Sequence, residues 1–461
     1  MSIRLPLLLP TAAVLLSGCV DAPKPPPLAA PVGAMGSFAP LPVVAIGPVP
    51  DDWWRLYDDP VLDGLVRSTL AANADLRVAY ANLDGARAAL RQAQAARLPQ
   101  TGIESALGVD NPASQPSASG NVPTTDYDIA ATASWDIDLF GRLRSAATAA
   151  GADAEAQAAV TDGLRVAVAA DTVLAYADLC GATRAIRAAR DVAAAQDRAT
   201  ALVREQLKAG EVSALELSQM AAVAAATRAA VPPFEAQRAN ALYRLATLQG
   251  RPPAEARSYD FSCTGTLHLR AAAPVGDGTA LLLRRPDVRE AERRLAAAAA
   301  RVGVARADLY PRVNLGGALG LLSGGFQAVA SPLVTWAFPN QAPARARLAQ
   351  ARASERAALA GWDASVLRSL REVETAISAY DAESRRNHEL GLASAEARDY
   401  ARRAAARVRL GDAPGLLQAD AQRAQATATL QQVQSDMLVS QSEIALFRAL
   451  GGGWRTEAGA R

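Results

Sequence analysis

The stretch Asp126-Tyr127-Asp128-Ile129-Ala130-Ala131-Thr132-Ala133-Ser134-Trp135-Asp136-Ile137-Asp138 puts an apolar residue at every odd position, while Asp126, Asp128, Thr132, Ser134, Asp136 and Asp138 hold even ones. A period of two kept over 13 residues is a strand with one apolar and one wet, acidic face. Thr101 to Val109 alternates less cleanly, and Arg312 to Leu321 sets Val313, Leu315, Leu319 and Leu321 against Arg312 and Asn314. A weaker fourth strand, near Phe326 to Phe338, is interrupted by Pro332. The loops between strands, Asn111 to Pro123 and Ser323 to Gly325, are polar and rich in Gly, Pro or Ser. Four such strands cannot close a barrel, because the smallest filled barrels need about eight. Their pattern is nonetheless that of an outer-membrane barrel wall, and the conflict disappears if several chains contribute strands to one barrel. A soluble β-sandwich with Asp on its wet face explains a single strand equally well, but not what flanks the strands.

No proline occurs between Pro123 and Pro232 or between Pro343 and Pro414, and proline costs a helix interior about 3 kcal/mol. Gly141 to Gly210 and Ala344 to Gly411 therefore predict helices of nearly 70 residues, about 100 Å each at the usual rise. Leu359, Val366, Val373 and Tyr380 keep a seven-residue spacing, with Leu370 and Ile377 between them, which is a coiled-coil seam. Alanines off that seam suit a helix packed between two neighbours better than a free-standing coiled coil. Each long helix ends at a Gly-polar tip, and a shorter helix returns, from Ser213 to about Gln249 and from Pro414 to about Leu450. Helical segments before Pro99 and Pro311, stacked on the return arms, restore the span, so each half makes one long antiparallel hairpin.

The two halves share a pattern. Asn73-Ala74-Asp75-Leu76-Arg77-Val78-Ala79 returns 212 residues later as Arg285-Pro286-Asp287-Val288-Arg289-Glu290-Ala291, and Leu83, Ala86, Ala93, Ala95 and Pro99 fall on Leu295, Ala298, Ala305, Ala307 and Pro311. So long a repeat is no solenoid unit; it implies two pseudo-equivalent halves.

At the amino terminus, Arg4 precedes a short apolar run that reads as a secretory signal. It ends in Leu16-Ser17-Gly18-Cys19, which resembles the lipobox of bacterial lipoproteins; the alternative is an ordinary signal with a chance Cys. Acylation at Cys19 would anchor the chain firmly, and Val20, rather than Asp, follows it, so the rule for retention at the inner membrane is not met. The expected organisation is a lipoprotein signal peptide at 1–18, a lipidated Pro/Ala-rich tether at 19–50, a first repeat at 51–250, an equatorial segment at 251–284, a second repeat at 285–454 and a C-terminal tail at 455–461.

A formal net charge of +2 gives no reason to expect a nucleic-acid partner. Cys180 and Cys263 are an even pair in an oxidising compartment, which suits a disulfide, with two buried free thiols as the alternative. His268 and His388 stand apart from any partner at metal-ligand spacing, and the Gly clusters match no phosphate-binding loop. The alternating Asp residues are more economically a lumen lining than an acid and base pair. No enzyme, metal or cofactor is therefore expected.

Trp135-Asp136-Ile137-Asp138-Leu139-Phe140-Gly141-Arg142, Arg284-Arg285-Pro286-Asp287-Val288-Arg289 with Ala291-Glu292, Ala307-Asp308-Leu309-Tyr310-Pro311, Glu372-Val373-Glu374 and the closing Ala449-Leu450-Gly451-Gly452-Gly453-Trp454 together resemble the signatures of TolC-type outer-membrane efflux proteins. The lipobox and Trp53-Trp54 resemble the lipidated branch typified by OprM and NodT. The resemblance spans Cys19 to Trp454. It implies a mainly α fold with a β-barrel part: a homotrimer whose 12-stranded outer-membrane β-barrel continues into a 12-helix periplasmic α-barrel, with residues near 250 to 285 and both chain ends forming a belt. It also implies a passive exit duct in a tripartite efflux system, fed by an inner-membrane pump of the resistance-nodulation-division type through a periplasmic adaptor. A protein-export duct, or a lipoprotein coiled-coil scaffold without a pore, is the alternative.

The same resemblance points to the tips for adaptor contact, at Leu207, Gly210 and Ser213 in one half and Arg407 and Gly411 in the other. Gln206 stands where the family usually has Arg, and Pro414 where it has Ser. Asp420, nine residues past Gly411, corresponds to an Asp that helps close the pore, its other reading being a solvated helix-face residue. Phe338-Pro339-Asn340-Gln341 replaces the usual Phe-Asp-Gly-Gly after the fourth strand. The divergence of the tips implies a division of work, one mainly holding the adaptor and the other mainly gating.

Overall fold

Each helix and strand in the computed structural model begins and ends where the local chemistry requires. The structure describes Gly36, Phe38 and residues 41–110, 124–258, 263, 267–322 and 325–452. In chain order these form β1 (Val44–Ala45), a 3-10 turn (Trp53–Tyr57), α1 (Pro60–Ala72), α2 (Ala74–Ala95), β2 (Gln100–Asp110), β3 (Thr124–Ile137), α3 (Arg142–Lys208), α4 (Ala214–Ala229) and α5 (Val231–Leu248). A second 3-10 turn (Pro253–Ser258), β4 (Ala273–Pro274), α6 (Gly278–Arg284), α7 (Pro286–Ala307), β5 (Arg312–Leu322), β6 (Gly325–Thr335), α8 (Ala342–Arg409) and α9 (Gly415–Ala449) complete the order. The succession of helix, strand pair, very long helix and return arm thus occurs twice.

The long helices α3 and α8 have 67 and 68 residues. Within α3 one window is apolar enough to cross a bilayer, yet 72% of it is buried inside the protein, as befits an Ala-rich helix packed on several sides. Caps start the helices. Asp59 accepts from the amides of Val61 and Leu62 ahead of α1, Asn73 from Leu76, and Asp138 from Leu143 and Arg144 at the head of α3.

The return arms differ. α9 runs unbroken for 35 residues. The single arm expected from Ser213 to about Gln249 is instead divided into α4 and α5 at Ala230, because Pro232 and Pro233 cannot donate to the helical ladder and so open a new first turn.

Two compact units cut across the sequence repeat. One takes residues 81–159 and 289–364, the other 30–80, 160–288 and 365–461. The first holds an antiparallel sheet of order β2-β3-β5-β6. Its register aligns Ile103, Ala131, Leu319 and Ala328 in one row and Gly102, Thr132, Ala318 and Val329 in the next. β6 continues through Pro332 opposite Leu315; as an edge strand it has a free side to which the missing N–H can be assigned. At Gly320 a Cβ would lie 2.1 Å from the Ile129 carbonyl oxygen, so no side chain fits.

The second unit holds the main core. Trp53 is wholly buried, stacked on Phe447 at 4.7 Å and meeting Trp54 and Tyr57 edge-on. Leu62, Tyr176, Leu245 and Leu446 complete its centre. The Gly451-Gly452 turn closes on this ring: Gly451 has φ +68°, and a Cβ on Gly452 would meet Trp53 Cδ1 at 2.8 Å. β1 lies parallel to β4, which lays the amino-terminal segment along the equatorial one.

Candidate functional site

The sheet is the first half of the site. Register carries the alternation of β3 across all four strands, giving one face with Ile103, Ile129, Trp135, Leu315, Leu319 and Phe326, and another with Glu104, Asp128, Thr132, Asp136, Asn314 and Gln327. The apolar face is open: Ile103 is 82% exposed and Phe326 76%. β2 and β6, of 11 residues each, have no strand partner on their outer sides among the described residues. An open sheet with a bare apolar face and two free edges is incomplete by itself.

Below the strands the aromatic residues are fixed in pairs. Trp135 Nε1 donates to the Arg97 carbonyl at 3.0 Å, and Trp336 Nε1 to the Leu309 carbonyl at 3.1 Å. Arg97 and Leu309 are 212 positions apart, so the two indoles anchor to equivalent places in the two halves. Phe140 stacks on Tyr310, and Trp336 on Phe338.

Of the acidic residues on the wet face, the side chain of Asp126 lies outside the described residues, and Asp128 is half-buried. Asp136 pairs with Arg142. Asp138 falls just past the end of β3, and its carboxylate caps α3, a task the alternation does not reveal. Cys19, the candidate lipid attachment, lies outside the described residues.

The tips are built alike and finished differently. At the first, the Gly210 amide donates to Leu207 and the Glu211 amide to Gln206; at the second, Gly411 donates to Val408 and Asp412 to Arg407. Gly210 and Gly411 have φ +78° and +76°, the left-handed cap that only glycine adopts cheaply. Ser213 and Glu216 then form a reciprocal capping box, whereas Pro414 offers no side-chain cap. Leu207 is half-buried, Arg407 is exposed with Nη2 3.3 Å from the Asp412 carbonyl, and Asp420 is exposed and paired with Arg423 at 2.7 Å.

Two charged assemblies join residues far apart in sequence, the first built on the Arg284-Arg285-Pro286-Asp287 signature and the second with no signature in the sequence. Arg284 gathers the carbonyls of Val49, Pro50 and Gly451 and the Asp51 carboxylate. Arg285, 8% exposed, holds Asp287 through two bonds of 2.8 Å, Glu372 at 2.7 Å and the Ala449 carbonyl at 2.8 Å. The Arg-Arg-Pro-Asp signature is thus a clamp joining both chain ends to the helices. Cys180 and Cys263 are bonded, with Cα atoms 5.3 Å apart, and pin the equatorial segment to α3.

The second assembly surrounds Glu443 on α9. Its Oε1 accepts from Tyr380 at 3.0 Å and from the Leu269 amide at 3.4 Å, with Tyr57 and His268 close by. Burial pushes this carboxyl up to about 7 against the opposing pull of His268 and the hydrogen bonds. Two turns away, Asp436 is drawn down despite its own burial, because the nearby His268 imidazole, 3.8 Å away, the hydrogen bond from Asn387 and the charge of Arg184 together outweigh it.

Comparison with known proteins places these features in a family. The description of outer membrane efflux proteins matches residues 65–251 and 279–452. The pyoverdine export outer membrane protein OpmQ of Pseudomonas putida is 29% identical over 98% of both chains. The toluene efflux pump outer membrane protein TtgC of the same species is 28% identical over 98% of this chain and 96% of its own. The solved outer-membrane channel OprN shares 34% identity and superposes with a TM-score of 0.83, over 93% of this chain and 99% of its own. These matches run through both strand pairs and both tips, and the chain belongs to the outer membrane efflux protein family, a family of channels.

Proposed function

We propose that the protein is the outer-membrane channel subunit of a tripartite efflux system, a passive exit duct for small molecules. The observation that carries this is the incomplete sheet, with an exposed apolar face, a wet opposite face and, among the described residues, two unpaired edges of 11 residues. Three copies would satisfy all six edges and close 12 strands, two tandem repeats per chain contributing equally. The apolar rows then meet lipid, and Asp128 and Asp136 line the lumen. The long hairpins continue the tube into the periplasm, and Cys19 carries the lipid anchor.

In this arrangement Leu207, Gly210, Ser213, Arg407 and Gly411 meet the periplasmic adaptor, which delivers cargo from an inner-membrane pump of the resistance-nodulation-division type. Asp420, repeated three times in a narrow throat, forms a cation-attracting gate; its pairing with Arg423 supplies a switchable partner. Relatives named for pyoverdine export and toluene efflux share this chain's length and pattern, which supports selection upstream of the duct. The test is conductance of the purified protein in planar bilayers, joined to crosslinking from Lys208 and Asp412. Current with trimer stoichiometry and capture of an adaptor are expected. Absence of current would leave a scaffold, and capture of a secretion component would point to protein export.

A further inference from the structure

The distribution of basic residues around the sheet is lopsided. Leu98–Ile137 and Val313–Asn340, which contain three of the four long strands whole and all of β5 but its first residue, Arg312, hold no lysine or arginine. The ten residues flanking each end of those two stretches hold two arginines apiece, against Asp138 and Asp308 as the only acids. Asp138 is committed to backbone amides, and Asp308 to Arg312 and Arg347. Arg142 answers to Asp136. Among the described residues, Arg97, Arg144, Arg306 and Arg345 are exposed and have no carboxylate partner. All four lie three to ten residues from a strand end, where the chain passes between β2, β3, β5 or β6 and helix.

Two of these arginines, Arg97 and Arg306, are tied by backbone bonds to the level of the aromatic pairs. Register puts Trp135 on the apolar face, and its indole N–H is bonded to the backbone of Arg97 itself. Trp336 continues the apolar rows of β6 beyond Val334, and bonds to the carbonyl three residues past Arg306. Indoles at the foot of an apolar band mark the boundary between hydrocarbon and water. Unpaired guanidinium groups at that boundary face the phosphates of the adjoining leaflet, where they form bidentate, charge-assisted hydrogen bonds.

We propose that the foot of the sheet is a binding site for the headgroups of anionic phospholipids, of the phosphatidylglycerol class, in the leaflet nearest the helices, with Arg97, Arg144, Arg306 and Arg345 supplying the attraction. It rests on the membrane-spanning reading above. The test reconstitutes the full chain in phosphatidylethanolamine vesicles and compares, by electron spin resonance, the motional restriction of spin-labelled phosphatidylglycerol and phosphatidylcholine. A preference of about fivefold for the anionic label is expected, reduced by 0.5 M salt on the order expected for screening. A chain carrying Arg→Gln at all four positions should lose it, and one carrying Arg→Lys should keep it. Equal restriction of both labels by the unaltered protein, or loss in the Lys variant as complete as in the Gln variant, would overturn the headgroup site alone. No restriction of either label would sink the membrane-spanning reading and this site with it.

Discussion

In the unit that carries the sheet, Ile103, Leu319 and Phe326 are more than half exposed; in the unit that carries the main core, Trp53, Leu62 and Phe447 are wholly buried. The residue types are alike, so hydrophobicity does not separate them. What separates them is period. Alternation puts every apolar residue of a strand on one face, and that face needs a partner outside the chain. These buried residues come from the amino-terminal turn, α1 and α9 and find one another within the chain. The first unit therefore leaves an apolar face uncovered by the chain, whereas the second covers its own.

The sharpest way to break that contrast is to empty the buried ring. Trp53→Ala removes the partner of Phe447 and the seat of Gly452, and should cost about 3–5 kcal/mol. The loss should appear as a lowered melting temperature in detergent and in lipid alike. Leu319→Arg, midway along an inner strand, is the opposite case. It should leave the melting temperature in detergent nearly unchanged, yet cost about 2–4 kcal/mol for insertion, measured by refolding into bilayers. Equal effects of Leu319→Arg in both media would mean that the sheet's apolar face does not meet lipid.

A third effect lies inside the buried unit and depends on pH. The Glu443 carboxyl is raised from its ordinary 4.5 to about 7, chiefly by burial, so the folded state holds a proton that the unfolded state has released across that interval. Protons bound by the native state in excess make stability fall as pH rises, here between about 4.5 and 7, by about 2–3 kcal/mol. Glu443→Gln should remove that slope while preserving a hydrogen-bonding side chain. Thermal melts of both proteins at pH 5 and pH 8 decide it, and a slope unchanged in the Gln variant would assign it to another group.

Strand and helix positions were legible because each is written in a local period or a proline gap. α3, α8, β3 and β5 lie within about two residues of where alternation and proline spacing put them. The break at Ala230 was written too, in Pro232-Pro233, but a proline pair at the first turn of a new helix looks the same as one that ends an old helix. The contacts of Arg284 and Glu443 were not legible for a different reason. Arg284 reaches Val49 and Gly451, and Glu443 receives Tyr380 and Leu269, over sequence separations of 63 to 235 residues. No window of sequence contains such an assembly, and Glu443 reads in isolation as an ordinary helix glutamate.

The tips test whether the contrast between the units is absolute. They belong to the unit with the buried core, yet Leu215 and Leu410 are 78% and 80% exposed, so here the self-sufficient unit also offers apolar groups to something else. The two tips share a glycine turn and differ in how the returning helix starts, with a capping box at Ser213 and without a side-chain cap at Pro414. Ser213→Ala removes the bond to the Glu216 amide and strands the box, at a cost of about 1 kcal/mol confined to the first turn of α4. Amide exchange there should quicken about fivefold, while the first turn of α9, with no side-chain cap to lose, exchanges as before. If both turns responded together, the tips would be coupled and the proposed division between holding and gating would fall; if only the first responded, each tip could be tuned on its own, as the divergence of their sequences requires.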